Sequence, residues 1–248
     1  MQKMFGILLA LAVALLSSCV SNSPSTPAGF VHLAEFVPDA ILEIRYYSTY
    51  NFVGDRIDGY ESPTALCTVE AAKALKAVSD DMMRQGYRLK IFDAYRPQRS
   101  VTHFMNWAKD LGDTRMKAYF YPNVDKSVLF AKGYIAEKSG HSRGSTIDLT
   151  LFDMATAKEV DMGSPFDWFG KESHPAWCGN TAANQYTGEF AGSTPPTDGK
   201  INAMQFRNRM LLRTAMMRHG FKPLEEEWWH FTLVNEPYPE TYFDLPVK

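Results

Sequence analysis

The order of strand-like and helix-like segments in this 248-residue chain predicts an α+β fold. Residues 68–86 repeat apolar side chains at helical spacing, with Thr68 placed to cap the start and Gly86 to end the helix. Residues 145–152 alternate apolar and polar side chains, as a strand does. With 45% hydrophobic residues, we expect a single domain over residues 31–248.

The other predicted elements follow the same two periods. Strands are predicted at 41–47, 88–95 and 228–234, and helices at 97–112 and 201–219. Pro97 ends one strand and begins the next helix, because proline lacks the N–H that a strand ladder needs. Residues 171–200, with Gly, Pro, Thr and Asn throughout, predict a long surface loop that covers the site described below.

The first 30 residues are predicted to lie outside the folded domain. Residues 1–18 have a lysine, an apolar run too short to span a membrane and small residues at the end, which is typical of a secretory leader. Leu16-Ser17-Ser18-Cys19 resembles the lipobox of bacterial lipoproteins, whose cysteine carries the lipid. Residues 19–30 then form a flexible tether. We therefore expect an exported protein, lipid-anchored to a bacterial membrane through Cys19 and facing the periplasm; the alternative is an ordinary signal peptide.

Composition narrows the class of partner. The formal net charge is -2, without a run of Lys or Arg, so the electrostatic footprint of a nucleic-acid-binding protein is missing. A small or peptide-like ligand fits better. In an oxidising compartment Cys67 and Cys178 would form a disulfide, or they remain two separate buried thiols.

Three side chains form a candidate metal-binding set. His141, Asp148 and His230 are two imidazoles and one carboxylate, ligands that bind zinc and leave one tetrahedral position for water. Glu227, three residues before His230, is the candidate base that takes the water's proton. Asp148 faces away from the aliphatic residues of its strand, and His141 is expected in the preceding loop, folded back over the strand.

The predicted metal site requires a particular backbone geometry, and a second pair of residues is an alternative metal site. On an unbroken strand Glu227 and His230 would point to opposite faces, so a bend is needed near Glu227. His174 and Cys178 are also spaced for a metal, but further thiols are missing nearby. The remaining histidines are interpreted as ordinary core or surface residues: His32, His103 and His219.

Four ordered motifs make the chain similar to a known family. They are Ser139-x-His141-Ser142-Arg143-Gly144-Ser145-x-Ile147-Asp148-Leu149-Thr150-Leu151, Asp93-Ala94-Tyr95-Arg96-Pro97-Gln98-Arg99, Gly163-Ser164-x-Phe166-Asp167 and Glu227-Trp228-Trp229-His230. Together they resemble the D-alanyl-D-alanine dipeptidases of the vancomycin-resistance type, zinc D,D-dipeptidases of peptidase family M15. The likeness runs from about residue 38 to the C-terminus.

The resemblance implies a fold, a cofactor and site roles. It implies a small antiparallel sheet that bears the zinc site, flanked by helices, as in D-Ala-D-Ala peptidases and hedgehog-like domains. One zinc ion per chain would be held by His141, Asp148 and His230, with Glu227 as the base. Arg96 would stabilise the oxyanion that forms on the scissile carbonyl. The free amino group of a D,D-dipeptide would be held by Tyr46, Asp167 and the neighbourhood of Ser139.

The expected reaction is hydrolysis of D-Ala-D-Ala or a similar dipeptide in cell-wall turnover or scavenging. Two alternatives stay open: a zinc D,D- or L,D-carboxypeptidase acting on peptidoglycan stem peptides, and a non-enzymatic wall-binding lipoprotein. A dipeptidase should reject an N-acylated substrate, which separates it from the first alternative. The second would not need Glu227 and Arg96 beside the metal.

Overall fold

A computed structural model describes residues 29–175 and 201–248 of the chain. The described helices are α1 (Leu33–Phe36), α2 (Val69–Arg84), α3 (Gln98–Lys109), α4 (Lys117–Phe120) and α5 (Ala203–Arg218). The strands are β1 (Phe30–His32), β2 (Ile41–Leu42), β3 (Leu66–Thr68), β4 (Tyr87–Asp93), β5 (Thr146–Asp153), β6 (Lys158–Glu159), β7 (Phe221–Pro223) and β8 (His230–Leu233). This mixture confirms the predicted α+β class.

The described strands form two sheets. The larger has the order β2-β4-β5-β8-β7, with β6 paired to β5, and β1 pairs with β3 in a separate two-stranded sheet. Every pair in the larger sheet is antiparallel except β2 with β4, which is parallel. The prediction of an antiparallel sheet is therefore wrong at this edge, because the chain passes from β2 through β3 and α2 before it enters β4.

Helix α2 covers one face of the sheet. Thr68 caps its start, since the Thr68 side chain accepts a hydrogen bond from the Ala71 amide, and Gly86 follows its end with a φ of 87°. The apolar stripe predicted from the sequence is buried: Ala72, Leu75, Val78 and Met82. The helix contacts β4 and α5, so its apolar face is part of the same core as the sheet.

Strand β5 crosses the centre of the larger sheet and is buried on both faces. Its aliphatic residues Ile147, Leu149 and Leu151 are fully buried, and so are the alternating polar residues Thr146, Asp148 and Thr150. A strand between two neighbours has no edge exposed to water, which fixes the backbone that carries Asp148. Of this polar face, Asp148 lines the cavity described below.

Two predicted segments differ from the observed ones. The strand predicted at 41–47 is only Ile41–Leu42, and Tyr46 lies in the turn that follows. Aromatic and branched side chains favour a longer strand. After residue 42, however, the amides of Glu43 and Arg45 donate to the carbonyls of Ile91 and Phe92 without forming a regular ladder. The predicted strand 228–234 begins only at His230.

Several predictions concern residues outside the described part. Residues 1–28, which include the leader and Cys19, lie outside it, so export and the lipid anchor stay predictions. Most of the predicted loop 171–200 and Cys178 also lie outside it. Cys67 is fully buried, and burial raises the pKa of its thiol to about 12. In the described ranges, every helix is too short or too polar to cross a membrane.

Candidate metal centre and its surroundings

Three neighbouring strands bring acidic and imidazole side chains into one row. Asp148 of β5 pairs with His230 of β8 on one side and with Asp93 of β4 on the other. The pairing with β4 depends on an irregularity between Ile91 and Asp93, where the register shifts by one residue. The shift places Asp93 opposite Asp148.

His141 reaches this row from a 3-10 helix, Gly140–Arg143, that precedes β5. Ser139 caps the short helix by accepting a hydrogen bond from the His141 amide at 3.3 Å. The chain then turns at Gly144, whose φ is 86° and where an added Cβ would lie 2.5 Å from the ring of Phe30. The predicted loop that folds His141 back over the strand is confirmed.

A backbone contact fixes the orientation of the His141 ring. Nδ1 of His141 lies 2.6 Å from the carbonyl oxygen of Ala94, so Nδ1 carries the proton and donates it. Nε2, the other ring nitrogen, faces the other two candidate ligands. Metal-binding histidines are commonly oriented in this way by a second acceptor.

The candidate ligand atoms converge. His141 Nε2 lies 3.1 Å from Asp148 Oδ2, His230 Nδ1 lies 3.1 Å from Asp148 Oδ1, and the two nitrogens are 3.3 Å apart. One donor atom from each residue lies within 4.8 Å of the others, and this is the one such group of three among the described residues. The structure therefore brings these three distant residues together as one possible metal site.

The electrostatics of the three residues suit a cation. Asp148 Oδ1 is buried, and its nearest polar neighbour among the described residues is His230 Nδ1 at 3.1 Å, an ion-pair contact without hydrogen-bond geometry, so a cation there would compensate a costly arrangement. Burial favours the neutral form of Asp148, but His141 and His230 outweigh it and hold the pKa of the carboxyl below its ordinary value. Burial lowers the pKa of His230, yet its close contacts with the carboxylates of Asp148 and Glu227 raise it to about 9. This donor set fits a metal ion.

The other histidines are accounted for elsewhere. His32 contacts Thr64, His103 contacts Asp58, and His219 contacts Asp81, as expected for residues without a metal role. His174 does not belong to the group formed by His141, Asp148 and His230. Cys178, its partner in the alternative metal site, lies outside the described residues.

Glu227 lies beside the candidate ligands without belonging to β8. A turn separates it from the strand, which supplies the bend that the sequence required. Glu227 Oε2 is 3.3 Å from His230 Nδ1, and the Glu227 side chain is 35% exposed. A carboxylate that is partly open to solvent and adjacent to the ligand atoms is placed to exchange protons with water there.

Arg96 lies on the other side of the candidate metal site. Its Nε and Nη2 each lie 2.9 Å from Asp93 Oδ2, and Nη2 is 3.6 Å from Asp148 Oδ2. The guanidinium also lies over two aromatic rings, 4.8 Å from the centre of Tyr46 and 5.2 Å from the centre of Phe104. Arg96 is thus held next to the ligands by both charge and stacking.

Asp167 is a buried carboxylate close to the same site. It is 7% exposed and has a φ of 61°, a conformation that aspartate tolerates better than most residues. The Tyr46 hydroxyl donates to both of its oxygens, at 3.0 and 3.2 Å. In the described ranges no basic side chain lies within ion-pair distance of Asp167, and burial together with the Asp148 charge raises its pKa well above the ordinary value.

One cavity joins these groups. Its volume is about 370 Å³, and it is lined by all eight residues assigned to the site from the sequence: Tyr46, Arg96, Ser139, His141, Asp148, Asp167, Glu227 and His230. Phe52, Phe104 and Phe169 add apolar walls. A cavity of this size suits a small ligand.

Two residues of the site were given no role from the sequence. In the sequence Asp93 appears only as part of a motif, and Tyr60, whose hydroxyl donates to Asp93 Oδ1 at 2.6 Å, belongs to none of the four motifs. The sequence feature that indicates a role for Asp93 is its position three residues before Arg96, with which it forms an ion pair. For Tyr60, 33 residues away, no local signal exists.

Comparisons with known proteins agree with this geometry. A family model described as D-ala-D-ala dipeptidase, peptidase family M15, matches residues 26–187 and 190–248. A D-alanyl-D-alanine dipeptidase of Enterococcus faecium is 39% identical over 220 residues, covering 89% of this chain and 98% of the relative. Proteins of the same name from Enterococcus faecalis and Streptomyces coelicolor are each 36% identical, covering 89% and 86% of this chain and 98% and 96% of their own lengths. The chain therefore belongs to peptidase family M15, the D-Ala-D-Ala dipeptidase family, and is a metallopeptidase.

Proposed function

We propose that this protein is a zinc dipeptidase that hydrolyses D-Ala-D-Ala, or a similar D,D-dipeptide, to free amino acids. The relatives named above carry this activity in their names. The observation that carries the proposal is the shared cavity, in which a converging His, Asp and His set lies together with an acid, a guanidinium and a buried free carboxylate.

His141, Asp148 and His230 are the residues that would hold the ion. Two imidazoles and a carboxylate are a ligand set that zinc accepts, and three protein ligands leave room for water or substrate. When bound there, zinc would supply Lewis acidity, which lowers the pKa of water toward neutrality and polarises a carbonyl.

Glu227 moves the proton in this proposal. Its carboxylate, next to His230 and partly open to solvent, accepts the proton of the attacking water and passes it to the nitrogen of the leaving amino acid. The oxygen–carbon bond forms and the carbon–nitrogen bond breaks, so one carboxylate and one amine are released.

Arg96 stabilises negative charge on the scissile carbonyl oxygen. Asp93 lies against the edge of the guanidinium that carries Nε and Nη2. Nη1 is on the side directed away from Asp93 and is the donor that we assign to the substrate. A fixed donor gains most from the transition state, where the charge on that oxygen is largest.

Asp167 and Tyr46 explain why the substrate would be a free dipeptide. A buried carboxylate without a cation partner in the described ranges suits the ammonium group at the amino end of the substrate. An acylated amine carries no charge and is bulkier, so it would leave Asp167 buried and unpaired. This observation favours a dipeptidase over a carboxypeptidase, whose stem-peptide substrates have an acylated amine at this position.

The proposal is tested by assaying the zinc-loaded protein with D-Ala-D-Ala and with N-acetyl-D-Ala-D-Ala. We expect cleavage of the free dipeptide and at least about a hundredfold lower kcat/KM for the acetylated one, because one buried charge contact is worth about 3 kcal/mol. Equal cleavage of both would indicate a carboxypeptidase, and cleavage of neither would reject the proposal.

Glu227→Gln separates the base from the ligands. The amide keeps the shape of the side chain but does not accept a proton, so we expect zinc content to stay at one per chain while kcat falls about a thousandfold or more. Zinc content is measured by atomic emission on the same sample. Turnover that survives the substitution would show that Glu227 is not the base.

A further inference from the structure

Asp93 is a buried carboxylate that the proposed chemistry does not yet use. Its side chain is 1% exposed, and one oxygen, Oδ2, accepts a hydrogen bond from Nε of Arg96 at 2.9 Å and lies 2.9 Å from Nη2 in an ion pair. A charged pair buried to this degree is strongly destabilised when either partner is removed. The pairing therefore constrains where the guanidinium of Arg96 lies.

Asp93 is itself held from two directions. The Tyr60 hydroxyl, which is buried, donates to Asp93 Oδ1 at 2.6 Å. The backbone of Asp93 is fixed opposite Asp148 by the register shift at the end of β4. The order Tyr60, Asp93, Arg96 thus forms a chain of contacts from the core to the cavity wall, which we name the arginine clamp.

The clamp leaves one part of Arg96 free and limits its movement. The rings of Tyr46 and Phe104 lie on the guanidinium, and Asp93 holds its Nε side. A planar guanidinium gripped along one edge presents its remaining donors in a fixed direction. Donors that need no reorientation during the reaction stabilise transition-state charge most effectively.

We propose that Asp93, held by Tyr60, is a positioning residue that fixes the guanidinium of Arg96 for the scissile carbonyl oxygen. The inference rests on the proposed function for its consequence in catalysis, but the clamp itself is a property of the fold. Asp93 does not have to touch substrate. It acts through Arg96 and only weakly on His141, whose Nδ1 lies 3.5 Å from Asp93 but 2.6 Å from the Ala94 carbonyl.

The first test is a double-mutant cycle on kcat, with Asp93→Asn and Arg96→Ala made singly and together. An amide has no charge and accepts on one atom only, so we expect Asp93→Asn to lower kcat about 30- to 100-fold, with KM changed less than about twofold and zinc content unchanged. In the Arg96→Ala background the same substitution should change kcat less than about twofold, since its target is gone. Equal losses in both backgrounds, or zinc lost in parallel with activity, would overturn the inference.

Tyr60→Phe is the milder variant for the case that Asp93→Asn folds poorly. It removes one hydroxyl and should lower kcat about three- to tenfold in the same direction. Tyr95→Phe is the matched control, because Tyr95 is equally buried and, within the described ranges, its hydroxyl hydrogen-bonds only to the backbone of Leu245. An effect of Tyr95→Phe as large as that of Tyr60→Phe would contradict the clamp.

A second measurement does not depend on activity. The Nε–H proton of Arg96, bonded to a buried carboxylate, should give a slowly exchanging ¹⁵N–¹H signal in the zinc-loaded protein, assigned by its loss in Arg96→Lys. We expect Asp93→Asn to abolish it or to speed its exchange at least about tenfold. A signal unchanged in Asp93→Asn overturns the clamp whatever the enzyme does. If the clamp signal behaves as expected but the wild type does not cleave D-Ala-D-Ala, the proposed function fails and the clamp stands.

Discussion

Two buried tyrosine–aspartate pairs lie beside Arg96, and they differ in one respect. In both pairs a tyrosine hydroxyl donates to the carboxylate: Tyr46 to Asp167 and Tyr60 to Asp93. Asp93 also faces the guanidinium of Arg96 at 2.9 Å. Asp167 has no cation within ion-pair distance in the part of the chain that the structure describes. One pair is complete and the other has room for a positive charge.

The difference shows how the same two residue types serve structure and binding. Burial raises the pKa of both carboxyl groups and the charge of Arg96 opposes the rise at both, but only Asp93 is in ion-pair contact with the guanidinium. A buried carboxylate without a cation costs stability in the empty protein. The ammonium group of a dipeptide would remove that cost on binding.

The largest expected effect concerns substrate recognition. Asp167→Asn keeps the shape and tolerates the positive φ, but it removes the charge that the ammonium needs. We expect kcat/KM for D-Ala-D-Ala to fall about a hundredfold, or about 3 kcal/mol, mostly through KM. Discrimination against the N-acetylated dipeptide should fall with it. Steady-state kinetics on both substrates measure this.

Asp161→Asn is the matched control for that substitution. Asp161 lies six residues before Asp167, and its side chain accepts hydrogen bonds from Gly163 and Gln205. It does not line the cavity. We expect its kinetics to equal those of the wild type. If Asp167→Asn also behaved as wild type, the open carboxylate would not be the ammonium site.

A second effect of similar size concerns the stability of the Tyr60–Asp93–Arg96 contacts. Asp93→Asn leaves the buried guanidinium of Arg96 without its carboxylate, so the metal-free protein should lose about 3 kcal/mol of unfolding free energy. For a domain of this size the melting temperature would fall by about 6 to 12 °C. Thermal unfolding followed by circular dichroism measures the shift, and an unchanged melting temperature would show that the pair does not stabilise the fold.

The smallest expected effect is a gain in folding stability rather than a loss. Asp167→Asn removes a carboxyl group whose pKa in the folded protein lies above the ordinary 3.8, so the metal-free variant should be more stable than the wild type by about 1 kcal/mol at neutral pH. Such an acid destabilises the fold only where the unfolded chain is ionised. The gain should therefore be absent below pH 3.8 and grow as the pH rises toward the raised pKa.

Unfolding of both proteins over a pH series checks this sign. If Asp167→Asn destabilised the protein as Asp93→Asn should, the two carboxylates would be equivalent and the comparison between them would fail.

The sequence predicts features that depend on residues close together in the chain better than features that depend on residues far apart in it. The helix at 69–84 and strand β5 were predicted because their periodic patterns are local. Likewise, His141, Asp148, Glu227 and His230 were identified because short motifs carry them. Tyr60 was not, because its contact with Asp93 depends on a loop and a register shift that no pattern within either segment encodes.

The sheet shows the same limit. Strands β6 and β7 have two and three residues, too few for a period to appear, and the parallel pairing of β2 follows from the path of the chain rather than from its two residues. A short segment can show that it forms a strand, but it does not show which strand it pairs with.

The most direct measurement is a crystal structure of the Glu227→Gln protein with zinc and D-Ala-D-Ala, with anomalous diffraction at the zinc edge. We expect one anomalous peak among His141, Asp148 and His230, the dipeptide ammonium against Asp167, and the scissile carbonyl oxygen facing Arg96. A peak elsewhere, or a dipeptide bound with its amino group away from Asp167, would contradict the proposed enzyme.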